Sequence, residues 1–224
     1  MRNNGWLAIS ISTALSWLMK FIMIGMFPYV IYKGSYLFGF ATGVAIILSL
    51  LPSIVERNYR ITLPFELDLL ITLMIFLHTF FGEWLKFYDR LWVWDKMLHI
   101  YGTAVISMLA FMIVYTLHYT KKLRLTLPFV GLFTIISAMA VGGFWEIGEF
   151  AVDKIFNKDT QNGLDNTMWD LIDDLIGGTL IASVGIIYIK YSRPDERKRL
   201  TRPLGEVFGI KKKIERIKVR LAHK

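Results

Sequence analysis

Glu146, Glu149 and Asp153 recur at i, i+3 and i+7, so on a helix their carboxylates share one face. Asp95 and His99 are four residues apart, as are Asp170 and Asp174, and each pair would stack one side chain above the other. Carboxylates with imidazoles are a donor set for Zn, Mn or Fe, and carboxylates alone suit Mg or Ca. Two carboxylates held close can also share a proton and act as acid and base. The same groups would serve a proton or cation relay. Sharper signatures are absent from the sequence: it has no H-E-x-x-H zinc helix, no G-x-S-x-G elbow and no paired E-x-x-H motifs of di-iron bundles. The stretch from Asn157 to Asp170 misplaces Gly163 and lacks the closing glutamate of a calcium loop. With no cysteine, thiolate metal sites, disulfides and cysteine nucleophiles are excluded.

The elements that must position these groups are read from composition. Of 224 residues, 54% are hydrophobic and only 20% charged. A soluble domain carries about 25% charged residues. Mean hydropathy is +0.46. The apolar residues fall in blocks near the ~20 residues that a membrane-crossing helix needs. They predict spans over about 6–27, 35–55, 66–88, 95–119, 127–152 and 168–190. In lipid the backbone must bond to itself, so the expected fold is an all-α six-helix transmembrane bundle. It covers 1–192, and a basic tail follows over 193–224. A soluble enzyme or a DNA-binding domain is excluded. The first block is longer than the 7–15 residue core of a secretory signal and lacks a clear A-x-A, so it reads as a retained helix.

The net charge of +8 is carried by the tail. From Lys190 onward there are thirteen Lys/Arg and four Asp/Glu. Such a tail suits an anionic inner-leaflet surface, and nucleic acid is not expected. Val207, Ile210, Ile214, Ile217 and Leu221 recur at spacings of three and four, which predicts a basic amphipathic helix over 204–221 lying on that surface. A partner-binding helix is the other reading. With the N-terminus inside, Arg57, Arg60, Lys121, Lys122, Arg124 and the tail fall on the cytoplasmic side, as Lys/Arg bias requires. Both termini are then cytoplasmic in a multi-pass cell-membrane protein.

That topology places eleven acids in the outer half: Glu83, Asp89, Asp95, Glu146, Glu149, Asp153, Asp159, Asp165, Asp170, Asp173 and Asp174. The inner segments up to Arg124 hold Glu56, Glu66 and Asp68. An ionisable residue inside a membrane segment is costly and faces the bundle interior. His78, Asp95, His99, Glu146, Glu149, Asp170 and Asp174 therefore form the candidate site, drawn from four helices. Simpler roles compete. Asp170 and Asp173 suit the positive end of a helix dipole at the start of the sixth span. His78 can be a satisfied interior histidine, and Lys96 can pair with a surface acid. Glu146, well inside an apolar segment behind Gly142-Gly143-Phe144-Trp145, escapes both explanations. Lys20 lies deep in the first span with no local acid, and calls for a carboxylate on another helix or different helix bounds.

The blocks Trp94-Asp95-Lys96-Met97-Leu98-His99, Trp145-Glu146-Ile147-Gly148-Glu149-Phe150 and Asp165-Asn166-Thr167-Met168-Trp169-Asp170-Leu171 resemble the YjdF-type family of predicted bacterial and archaeal inner-membrane proteins. The resemblance covers about His78 to Gly178 and implies the membrane fold and the motif residues, with no settled reaction. The D-K-x-x-H block with its later acids is also remotely similar to VanZ-type membrane proteins, linked to glycopeptide tolerance, though the last helix lacks much of that pattern.

The leading expectation is an enzyme acting on a lipid or cell-envelope intermediate from the extracytoplasmic side. A divalent metal (Zn, Mn, Fe or Mg) would be held by His99 with Glu146 and Glu149, His78 and Asp95 being further candidate ligands. Asp170 or Asp174 would add a ligand or act as base, and Lys96 would meet a phosphate or other anionic headgroup. The alternatives are a proton- or cation-coupled transporter, with Glu146 and His78 as relay, and a non-catalytic accessory protein whose polar cluster locks helices together.

Overall fold

The computed structural model describes residues 4–208, with side chains from Ile11 onward, Phe65 excepted. The helices are α1 (Asn4–Tyr32), α2 (Tyr36–Tyr59), α3 (Leu67–Phe76), α4 (Phe87–Arg90), α5 (Trp94–Tyr119), α6 (Leu127–Phe156), α7 (Leu164–Tyr191) and α8 (Pro194–Val207). A single 3₁₀ turn, Pro64–Glu66, precedes α3, and a π-helical segment, Leu77–Trp84, continues it. No strand occurs among the described residues. Six helices are long and apolar enough to cross a membrane, α3 and its π continuation counting as one. The all-helical membrane fold expected from the apolar blocks is therefore present, and the protein is a multi-pass membrane protein. Side chains such as Phe144 (73% exposed) and Ile147 (63%) point outward, as lipid in place of water permits.

The helix bounds differ from the expected ones for identifiable reasons. Pro28 lies inside α1 and Pro52 inside α2, neither of which it ends. A proline removes one backbone donor, and membrane helices tolerate the loss. At the other end, α7 begins at Leu164 and not near 168. Its entry residue, Gly163, has φ +89, open only to glycine at little cost. The polar connection before it shrinks to 157–163. Of the basic helix expected over 204–221, only the part up to Phe208 lies within the described residues, and there the helix is α8, begun at Pro194.

The chain forms two compact units, divided in sequence between Leu98 and His99, inside α5. In the first, α1, α2 and α3 pack on one another. Their apolar centre is Met19, Met23, Ala45, Ile75 and Phe76. Beside it lies a polar clamp that joins all three helices. The fully buried Lys20 ammonium stands 2.8 Å from Asp68 Oδ1 and 3.1 Å from Oδ2, and donates to Ser53 Oγ at 2.7 Å. Ser53 and Ser16 both donate to the same carboxylate, at 2.7 and 2.5 Å. Asp68 is thus the carboxylate that Lys20 required.

In the second unit α6 and α7 form the most extensive helix pair. Gly178 of α7 faces Ala138 and Ile135 of α6. On α7, Gly177 lies against the backbone of α5, where an added Cβ would stand 2.7 Å from the Ile100 carbonyl oxygen. Gly185, two turns on, lies against the Phe111 ring. Small residues at these crossings let helix backbones approach closely. The approach of α5 to α7 at Gly177 sets the part of α5 from His99 onward against α7.

Candidate functional site

The second unit converges on one histidine. His99, on the second turn of α5, is 9% exposed. Its Nδ1 lies 3.1 Å from Asp174 Oδ1, and its Nε2 lies 3.8 Å from Glu146 Oε1. Asp174 (1% exposed) comes from α7 and Glu146 (4%) from α6, so three helices meet at one imidazole. Asp170, one turn before Asp174 and 2% exposed, offers a ligand atom within 4.8 Å of one on His99. Asp95, one turn before His99 on the same helix, is within the same distance of His99. His99 and Asp170 therefore offer a metal ion an imidazole and a carboxylate, with Asp95 one turn back on the helix of His99.

Local contacts surround three of these residues, His99, Asp170 and Asp174. Thr103 Oγ1 donates back to the His99 carbonyl at 2.5 Å. Asn166 Nδ2 donates to Asp170 Oδ2. Gly142 sits directly beneath the Asp174 carboxylate, so closely that a Cβ there would overlap it. Asp174 Oδ2 is buried and has no hydrogen-bond partner among the described residues. Because α7 starts at Leu164, Asp170 and Asp174 lie in its second and third turns. The dipole effect falls off within the first turn, so it accounts for Asp165 and not for these two.

Chemistry follows from the proton count. A neutral imidazole has one N–H. If Asp174 accepts it from Nδ1, Nε2 turns a lone pair toward a carboxylate oxygen of Glu146. A proton or a cation between these two acceptors, 3.8 Å apart, would turn their approach into an attraction. Two donors each about 2.1 Å from a shared zinc-sized ion stand at most roughly 4.2 Å apart, and the observed separation falls within that limit. A carboxylate on the far ring nitrogen is the usual support of a metal-bound histidine. The sequence supplies little opposing charge here: α7 has no Lys or Arg before Lys190, α6 has only Lys154 and α5 only Lys96.

The remaining candidates have other contacts. Glu149 accepts a hydrogen bond from Trp145 Nε1 at 2.9 Å. Asp153, on the same helical stripe as Glu146 by spacing, takes the backbone N–H groups of Thr160 and Gln161 and the Thr160 hydroxyl. It thereby folds the 157–163 connection onto the end of α6. In the first unit, His78 lies in the first turn of the π segment, with Nδ1 2.6 Å from the Tyr88 hydroxyl. The Tyr88 ring covers Gly82, where a Cβ would meet it. Lys96 lies half-buried in the first turn of α5. Two contributors were not singled out from sequence as site-forming: Gly142, visible only as one of a glycine pair, and Asn166, four residues before Asp170.

A protein of Thermotoga maritima, described as an uncharacterized protein, is 37% identical to this chain over 136 residues, which is 59% of the chain and 68% of that protein. No solved structure matches the chain. The model of a family described as "Predicted membrane protein (DUF2238)" matches residues 14–191, which contain every residue of the site. The chain belongs to the DUF2238 family of predicted membrane proteins.

Proposed function

We propose that the protein is a divalent-metal-dependent membrane enzyme acting on a lipid or cell-envelope intermediate. The observation that carries the reading is the buried His99 imidazole with a carboxylate at each ring nitrogen, Asp174 at 3.1 Å and Glu146 at 3.8 Å. In this reading Glu146 and His99 hold the cation, with Asp95 or Asp170 adding a ligand. Asp174 holds the imidazole in the tautomer that leaves Nε2 for the ion. A bound divalent ion polarises a phosphoryl or carbonyl oxygen and makes its water acidic. Asp170, where it does not serve as a ligand, would be the carboxylate available to take up a proton. Lys96 would meet an anionic headgroup. His78 and Glu149, with Tyr88 and Trp145 as contacts, would be supporting residues rather than ligands. The Lys/Arg bias supports cytoplasmic termini and an extracytoplasmic site in the cell membrane.

The test is incubation of detergent-purified protein with extracted envelope lipids and Zn, Mn or Mg, followed by lipid mass spectrometry. The expected result is a chelator-sensitive conversion of one lipid class. It should fall more than about 100-fold in a folded Glu146→Gln variant, since even outer-sphere ligand partners contribute 10–100-fold. Metal-loaded protein that leaves every lipid class unchanged would overturn the enzymatic reading and favour cation transport. Loss of folding in Glu146→Gln with no ion bound to the wild type would favour an accessory role.

A further inference from the structure

We propose that α8 carries a discrete binding notch for the phosphate of an anionic lipid headgroup. This inference is independent of the catalytic reading. Only Ser192 and Arg193 separate α8 from the end of the membrane-length helix α7, so α8 is held at the membrane margin. Its two faces differ sharply. Leu200 (4% exposed), Thr201 (3%) and Leu204 (5%) form the stripe buried in the fold. Asp195, Lys198, Arg199 and Arg202, at i, i+3, i+4 and i+7, form the exposed stripe and line a notch of about 250 Å³.

The buried stripe belongs to α8 itself and is not the apolar series Val207, Ile210, Ile214, Ile217 and Leu221, which past Val207 lies outside the described residues. An amphipathic surface helix inserts its apolar face among the acyl chains. Here Leu200 and Leu204 are already buried in the protein, so the face that α8 leaves exposed between Asp195 and Arg202 is the charged one.

A partner count narrows which charges. Arg193 pairs with Glu196 at 3.6 Å, and Arg202 with Glu206 at 3.0 Å. Arg197 donates to the Ser192 carbonyl from both Nε and Nη2. Lys198 and Arg199 have no side-chain partner among the described residues, and they flank the notch. Three cations against the carboxylates of Asp195 and of Glu206, the latter held by Arg202, still leave the notch with a net positive charge. A phosphate bearing a net negative charge fits it, and Arg supplies the forked donors that match phosphate oxygens.

The experiment uses the full chain in mild detergent and follows thermal unfolding as phosphatidylglycerol, phosphatidylcholine or inorganic phosphate is added. Wild type is compared with the Lys198→Gln/Arg199→Gln/Arg202→Gln variant, whose changes are all on exposed side chains. Phosphatidylglycerol should stabilise the wild type and bind the variant about a hundredfold more weakly, as expected for three headgroup cations. The stabilisation should shrink in 0.5 M salt. Equal stabilisation of both proteins, or of the wild type by phosphatidylcholine, would overturn the proposal. An equal effect of inorganic phosphate would overturn its assignment to lipid.

Discussion

Gly142→Ala is expected to fold and to lose the candidate site, whereas Gly143→Ala is expected to keep both. The two glycines are neighbours on α6, yet their surroundings are opposite. A Cβ on Gly142 would overlap the Asp174 carboxylate, while one on Gly143 meets nothing within 4 Å. Alanine is the better helix former by roughly 0.5–1 kcal/mol, so neither change harms the helix itself. In Gly142→Ala the carboxylate has to rotate off His99 Nδ1, which removes the 3.1 Å contact that sets the imidazole. Metal affinity should drop about 10–100-fold, the usual effect of losing an outer-sphere carboxylate. Binding of Mn to both variants, followed by spin resonance, checks this. Equal affinity in the two would mean that Asp174 does not orient His99.

The second large effect is expected in the first unit. Lys20→Met should cost up to about 3 kcal/mol, because it leaves the partly buried Asp68 carboxylate without its cation. Asp68→Leu should cost at least as much, since it leaves the fully buried Lys20 ammonium without its carboxylate. The double change Lys20→Met/Asp68→Leu should recover most of the loss, because a buried pair replaced by apolar groups of similar size is often neutral. Unfolding of the four proteins in mixed micelles gives the coupling directly. Losses that add in the double variant would show that the clamp does not act as a pair.

The sequence made the helices legible because lipid imposes a simple rule. The blocks at 95–119 and 127–152 differ from α5 and α6 by no more than a few residues at one end. The acids were legible as a cluster because carboxylates are rare in such helices, and Glu146 stood out since neither surface nor dipole reaches it. What was not legible is tertiary. Lys20 and Asp68 are 48 residues apart, and no local pattern links them. Asp153 shares a stripe with Glu146, but at the end of α6 the nearest donors are the backbone N–H groups of the connection, and these take its carboxylate. Gly142 and Gly143 are alike in the sequence, and only the packing of α7 shows which one underlies Asp174. The π segment at Leu77–Trp84 likewise has no signal in the periodicity of LHTFFGEW.

The central claim is that a cation bridges His99 and Glu146. The most direct measurement is elemental analysis of detergent-purified protein after dialysis against a weak chelator. Wild type should be run beside Glu146→Gln, with both checked for folding. The account predicts near-stoichiometric Zn, Mn or Fe in the wild type and its loss in the variant. A well-folded wild type that retains no ion, even after loading with each of these metals, would contradict it and leave a shared proton as the bridge between the two side chains.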